Sequence, residues 1–340
     1  MRIIKFKYRL LDKKENIKRL LKVERCSISH DSFAKLKYSA NLTIENSEDI
    51  DYNNDLIQIS CKINDVEDTI ATLLISSSRK IYGSYSREIE CFDKLLILEE
   101  NKLKERLTIK AGSNIIDEVI KQLQGAKHKI TLQSYVTKVD ADFEIGTSRL
   151  DVINYLLKII NYESLYSDKD GYFVTRPYIL PENRKIDIEY NDISDSDGCL
   201  ILEDTQEEID LFSIPNVFVR ATNNSQIAPL RAVYINNNPN SLSSTINRGR
   251  EIVDFKTVDD VLDYKTLYNI AQKDAISASN IYKNITLKTG INTGHGFFNC
   301  VKLNVKSYKI NDKFIETSWK IDDCNVGGTM EHSLRRLINV

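Results

Sequence analysis

The sequence predicts an α+β chain of more than one domain, with β-patterned regions at both ends, an α/β module between them and one long helix in the C-terminal region. Three observations carry this reading. Apolar residues alternate at period two through residues 36–92, and β-type patterning returns after Pro181. Residues 108–123 and 148–160 instead show helical spacing behind capping residues. Finally, 340 residues with 41% hydrophobic content can bury more than one core, and that length favours two or three domains.

In the N-terminal region Leu36, Tyr38, Ala40, Leu42 and Ile44 alternate with polar residues, the pattern of a half-buried strand, and Ile57, Ile59, Cys61 and Ile63 repeat it. Residues 69–76 and 81–92 are β-rich runs separated by Ser77-Ser78-Arg79-Lys80, so the first hundred residues read as a small antiparallel barrel or sandwich. From Leu107 the character shifts. A strand leads into Ala111-Gly112-Ser113, after which Ile115, Ile116, Val119, Ile120 and Leu123 mark one face of a helix.

Residues 145–178 are the most informative stretch. Ser148 stands three residues before Asp151, a capping box that starts a helix near Arg149. Leu150, Val152, Ile153, Leu156, Leu157, Ile159 and Ile160 cover more than one face, so this helix is expected to be buried on most sides. Beyond Asn161 the period becomes two, and Ser167-Asp168-Lys169-Asp170-Gly171 supplies a turn that returns Tyr172–Thr175 as a strand before Pro177 and Pro181 close the unit.

After Pro181, residues 185–190, 200–203, 216–220 and 231–235 are candidate strands of a second β domain. Residues 235–249 are rich in Asn and Ser without periodicity, and are expected to form an exposed loop that orders only against a partner. Thr257 and Asp260 form a second capping box before a helix to about residue 282, with Val261, Leu262, Leu267, Ile270, Ala271 and Ile281 on its apolar side. Strands near 285–287, 298–305 and 314–321 and a short basic helix around 333–338 complete the chain.

A net charge of −2, from 47 basic and 49 acidic residues, argues against a dedicated nucleic-acid binder. Cys26, Cys61, Cys91, Cys199, Cys300 and Cys324 are scattered, which indicates neither a zinc site nor a redox dithiol. His30, His128, His295 and His332 include no pair at helical ligand spacing and read as ordinary polar residues. Lys and Arg interrupt every apolar run of the N-terminal segment, so no signal peptide and no membrane insertion are expected, and assembly in a reducing cytoplasm is.

The remaining candidates for chemistry resolve into turns. Aligning Gly171 at the sixth position of a calcium loop puts Tyr166 first and Pro177 twelfth, where ligands are needed. The acidic loop 195–198 places Asp204 twelfth but Ile193 first. The glycine-rich segment 289–296 is the nearest thing to a ligand-cradling loop, yet no helix follows it, and it reads as a surface loop between strands. Hydrolase elbows, metalloprotease helices, phosphate loops and dinucleotide fingerprints are missing from the sequence. Catalytic, cofactor-binding and metal-binding residues are therefore assigned as none, no cofactor is expected, and the chain reads as a non-enzyme.

Taken in order, Gly146-Thr147-Ser148, the buried helix, Ile160-Asn161-Tyr162, Asp168-Lys169-Asp170-Gly171, the aromatic strand and Arg176-Pro177-Tyr178 resemble the baseplate hub proteins of contractile phage tails, and of the phage-tail-like bacteriocins and defective prophages related to them. Residues 108–123, Ile214–Val219, Asn247–Val253, Thr317–Ile321 and His332–Arg336 follow in the family's order, so the resemblance covers about residues 80–340. It implies two small antiparallel β-barrel domains, residues 1–104 and 181–340, the second with the helix 257–282 inserted, flanking an α/β module at 105–180. It implies a homotrimeric ring that adapts a hexameric tail tube to a trimeric central spike. Its partners would be the spike, the tube or tube-initiator protein and the baseplate wedge proteins, with room for a tape measure contact. The location would be the bacterial host cytoplasm during assembly and then the tail baseplate. Two other readings stay open: a cell-wall-binding module, to which the 17 tyrosines and the α/β module lend some support, and a peptidoglycan hydrolase, for which no catalytic motif is present.

Overall fold

The computed structural model describes residues 2–45, 49–80, 82–83, 85–180, 183–192, 200–208, 214–223, 228–258, 261, 263–279, 284–325 and 328–336. The N-terminal lobe contains β1 (Ile4–Leu11), β2 (Ile17–Leu20), β3 (Val23–Asp31), β4 (Tyr38–Glu45), β5 (Leu56–Ile63), β6 (Val66–Lys80) and β7 (Ser86–Phe92). They pair antiparallel in the order β3-β4-β7-β6-β5-β1-β2. Tyr38, Ala40, Leu42 and Ile44 all point into the core, as their alternation requires. β6 runs straight through residues 77–80, where polar side chains suggested a break. Its first half pairs with β5 and its second with β7, across a register shift between Ile75 and Ser77, so a partner strand holds this polar segment extended.

The middle module comprises α1 (Leu95–Glu100), β8 (Leu107–Ile109), α2 (Ile115–Gln122), β9 (Ala141–Phe143), α3 (Arg149–Ile159), β10 (Tyr166–Ser167) and β11 (Phe173–Val174). β8 and β9 pair antiparallel, and each leads through a turn into a helix. The two turns use the same device: a glycine at positive φ, Gly112 at +91° and Gly146 at +87°, then a capping side chain. Asn114 caps α2 by accepting from the Ile116 N–H, and Ser148 caps α3 by accepting from that of Asp151. Leu150, Val152, Ile153, Leu156, Leu157 and Ile159 are all buried, and α3 is the centre of this module's core.

The C-terminal region holds β12 (Ile188–Asn191), β13 (Leu200–Glu208), β14 (Val217–Ala221), β15 (Arg231–Ile235), α4 (Thr245–Arg248), β16 (Val253–Thr257), α5 (Tyr264–Ser279), β17 (Asn284–Gly290), β18 (Cys300–Val305), β19 (Ile310–Ile321) and β20 (Thr329–Arg336). β14, β15 and β16 form a separate three-stranded sheet against which α5 packs. The others join the N-terminal strands in one 13-stranded, mostly antiparallel sheet.

β19 makes that continuity. Ile310–Ile315 pair with β18, Ser318–Ile321 pair with β3, and β20 lies along its other side. Trp319, Ile321 and Met330 thus enter the N-terminal core, while Phe314 and Leu334 belong to a second core with Tyr190, Leu287 and Leu303. Among the described residues no ladder closes on itself. Instead of two closed barrels, the described residues form two lobes of one open sheet with edges at β2, β12 and β13.

Three local expectations are corrected. Ser333–Arg336 lie in β20 and not in a terminal helix; Met330, His332 and Leu334 are buried at period two, and residues 337–338 lie outside the described residues. Thr257 ends β16, which β14 recruits as a parallel partner, so it lies in a strand and not at the start of α5. α5 starts at Tyr264, with Asp263 Oδ1 accepting from the Thr266 N–H at 2.7 Å; Asp260, Leu262 and Ile281 lie outside the described residues.

The third correction concerns residues 236–249, which fold on themselves. Asn236, Ser241, Ser243 and Ser244 are fully buried. The Asn236 amide donates to the Ser241 and Ser243 hydroxyls, and the Asn247 amide to the carbonyls of Pro239 and Ser241. Side-chain amides and hydroxyls satisfy the loop's own polar groups, so burial here needs no apolar periodicity.

No helix of the described residues is long and apolar enough to cross a membrane. Cys26, Cys61, Cys91, Cys300 and Cys324 are free and buried, and Cys199 lies outside the described residues.

Candidate functional site

The glycine-rich segment 289–296 turns inward. Its His295 is buried and joins Glu316 of β19 and His332 of β20 in a cluster whose candidate ligand atoms lie within 4.8 Å of one another. His295 Nδ1 is 2.7 Å from Glu316 Oε2, and His332 Nδ1 is 2.6 Å from Glu316 Oε1. The outer ring nitrogens are also engaged: His295 Nε2 by the Tyr190 hydroxyl at 2.7 Å, and His332 Nε2 by the Thr289 hydroxyl at 2.8 Å. The Asn292 amide donates to Tyr190 Oη at 3.3 Å, leaving that hydroxyl's proton for His295. His295 then carries its proton on Nδ1 and donates it to Glu316, while the Thr289 hydroxyl that meets His332 Nε2 also donates to the Gly290 carbonyl at 2.9 Å.

Burial sets the electrostatics. It holds His295 down at about 3 and depresses His332 against the pull of Glu316, while it raises Glu316 and lifts Tyr190 to about 12. Burial thus favours the neutral form of all three groups, and hydrogen bonds hold the cluster together. A tetrahedral metal between imidazole and carboxylate would hold their donor atoms about 3.4 Å apart. The observed contacts are direct hydrogen bonds, so the arrangement is a closed polar network with no open ligand position. Its mechanical effect is to fasten the 291–299 loop to the sheet. The Glu316 N–H, donating to Asn299 O at 2.8 Å, adds to this at the bulge where β19 leaves β18 for β3.

Sequence reasoning separated these histidines because they are 37 positions apart and not on one helix. The one available signal was His332 at a buried phase of an alternating strand. Of the calcium-like turns, Asp168 is fully used: its Oδ1 accepts from the N–H groups of Asp170 and Tyr172, and its Oδ2 pairs with Lys129 at 2.6 Å. Residues 195–198 lie outside the described residues.

A second constellation lies under the three-stranded sheet. Arg220 of β14 is completely buried and binds Asp254 of β16 at 2.6 Å and Asp274 of α5 at 2.5 Å. It also donates to the carbonyls of Val219 and Asp254, so the guanidinium is satisfied and locks sheet to helix. The sheet's outer edge is apolar: Val253 and Phe255 on β16 and Leu242 and Ile246 beside it are each more than half exposed. Ile17 and Leu20 on the edge strand β2 are similarly bare. Such unpaired edges bearing apolar side chains suit association with other chains.

The chain matches no protein-family model and no curated protein sequence. Its fold, however, occurs in solved structures. A tail protein from Neisseria meningitidis MC58 superposes with a TM-score of 0.68 at 15% identity, over 97% of this chain and 96% of that one. The 43 kDa tail protein of prophage MuSo2 from Shewanella oneidensis gives a TM-score of 0.63 at 12% identity, over 97% and 98%. An E. coli component of the type VI secretion system, structurally similar to the T4 bacteriophage tail proteins gp27 and gp5, gives 0.54 at 6% identity, over 99% of this chain and 77% of its own. At these identities the correspondence is one of fold, and it spans nearly the whole chain.

Proposed function

We propose that this chain is a structural component of a phage tail or a related tail-like particle, and that it serves there as the baseplate hub. The observation that carries this reading is the end-to-end correspondence of fold with phage tail proteins, 97% of this chain against 96% and 98% of theirs. In this reading the chain works by geometry and is not an enzyme. Three copies close into a ring, and the two sheet lobes of each copy act as paired barrel-like units, presenting six similar faces to the tube and three to the spike. The domain division of residues 1–104, 105–180 and 181–340 belongs to the same reading. The similarity of the E. coli secretion protein to gp27 and gp5 supports a spike as partner; tube, wedge and tape measure contacts follow from the hub role.

The exposed apolar residues of β2 and β16 fit a permanent interface, which buries a large apolar area. The chain would be assembled in the bacterial host cytoplasm and end in the tail baseplate. Rotationally averaged electron microscopy of the purified protein, with its mass from light scattering, tests this. A threefold ring with a tube-sized hole is expected. A monomer that forms no ring alone or with a matching spike protein would overturn the hub role and move attention to wall binding, testable by pull-down on insoluble cell walls.

A further inference from the structure

Where α5, the middle module and both sheet lobes meet, a cavity of about 270 Å3 opens to solvent. Four cationic side chains line it: Lys37, Arg184, Lys273 and Arg335. Glu163 is the one carboxylate in its wall, and it serves two of them, Arg184 at 2.8 Å and Lys273 at 3.8 Å. Lys37 is 5% exposed and forms no ion pair among the described residues; its ammonium donates to the carbonyls of Ser32 and Ala34. Arg335 has its guanidinium 4.4 Å from the centroid of Phe33 and likewise no carboxylate within ion-pair distance among the described residues.

The acidic groups behind the wall are committed elsewhere. Asp31 accepts from the N–H groups of Phe33 and Ala34, Asp93 from those of Lys37, Tyr38 and Leu95, and Asp274 binds Arg220. Burial depresses both Lys37 and Arg335 despite the pull of these neighbours, so two cations are held partly desolvated with no carboxylate in ion-pair contact among the described residues. That state is unfavourable unless an anion completes it. The wall beside Arg335 is aromatic, with Phe33 and Phe298 edge to face at 5.1 Å. Convergent cations beside apolar rings suit a planar, weakly hydrated anion on a carbon chain.

We propose that this cavity is a binding site for a carboxylate, held by Lys37 and Arg335 and supplied either by a small organic acid or by an acidic protein segment. The two sources share one chemistry and can be told apart. Isothermal titration of the intact protein would use succinate, an Asp-containing pentapeptide and inorganic phosphate as probes. Saturable binding of succinate and peptide alike shows that a free acid suffices; binding of the peptide alone assigns the site to a chain segment. Either result is expected to weaken at least tenfold in Arg335→Gln. Should that variant not fold, Ser277→Glu, an exposed substitution on α5 that places a carboxylate at the rim, is expected to abolish binding while leaving the fold intact. No saturable binding of either carboxylate, equal binding of phosphate, or undiminished binding in the folded variants would overturn the proposal.

Discussion

Glu316 Oε1 lies 2.6 Å from His332 Nδ1 across β19 and β20, with both side chains out of reach of solvent. The other carboxylate oxygen meets His295, so one buried acid joins two imidazoles. Glu316→Leu leaves both buried Nδ1 atoms without their partner and is expected to cost about 2–4 kcal/mol. It should also release the 291–299 loop. Urea unfolding measures the first effect and amide hydrogen exchange the second; unchanged protection of residues 291–299 would show that the network does not fasten the loop.

Acid should weaken the fold. Burial holds His30 and His295 at about 3, far below the ordinary value of about 6.5. As pH falls below about 6.5 the unfolded chain binds these protons and the folded chain does not, so stability is lost towards pH 3, by at most about 1.4 kcal/mol per pH unit for each group. His332 acts in the same direction. Burial raises Asp93 to about 6 and raises Glu316, so these two take up protons more readily when folded and oppose part of the loss. With three histidines against two acids, the urea midpoint is expected to fall between pH 7 and pH 5. A midpoint that rises over that interval would contradict this balance.

Arg220 is the fully buried cation between Asp254 and Asp274 at the sheet–helix contact, with the exposed Lys256 ammonium 3.5 and 3.9 Å from the same two carboxylates. Arg220→Met leaves two partly buried carboxylates facing each other and is expected to cost about 3–5 kcal/mol. Adding Asp254→Asn and Asp274→Asn should recover most of that loss. A triple variant no more stable than the single one would mean that packing around the arginine stem, and not its charge, is what matters.

At α3 the cap and the core should separate in size. Ser148→Ala removes the acceptor for the Asp151 N–H and the donor to its carboxylate, an expected loss of about 1 kcal/mol. Leu156→Ala opens a cavity in a fully buried cluster, at about 2–5 kcal/mol. Thermal unfolding of both variants checks the order, which reverses only if α3 is less enclosed than its burial states.

Phe255 is 60% exposed on the edge strand β16. Phe255→Asp is expected to leave the melting temperature unchanged while lowering the mass of any self-assembled species in light scattering. An assembly that forms unaltered would place the subunit interface elsewhere.

Where local chemistry suffices, the sequence alone determined structure. Ser148 and Asp151 start a helix because capping acts within three residues, and the apolar residues that follow surround it on most sides. Tyr38, Ala40, Leu42 and Ile44 declare a strand because period two puts them all on one face. The same reasoning failed where a distant partner overrides local signals: at residues 77–80 held by β7, at Thr257 drawn into β16, and at Ser333–Arg336 between β17 and β19. Only the tertiary structure brought His295 to Glu316 and His332, gathered Lys37 and Arg335 around one cavity, and ran β19 through both lobes. Backbone pairing and the burial of charge join residues tens to hundreds of positions apart, and no local periodicity records which residues those will be.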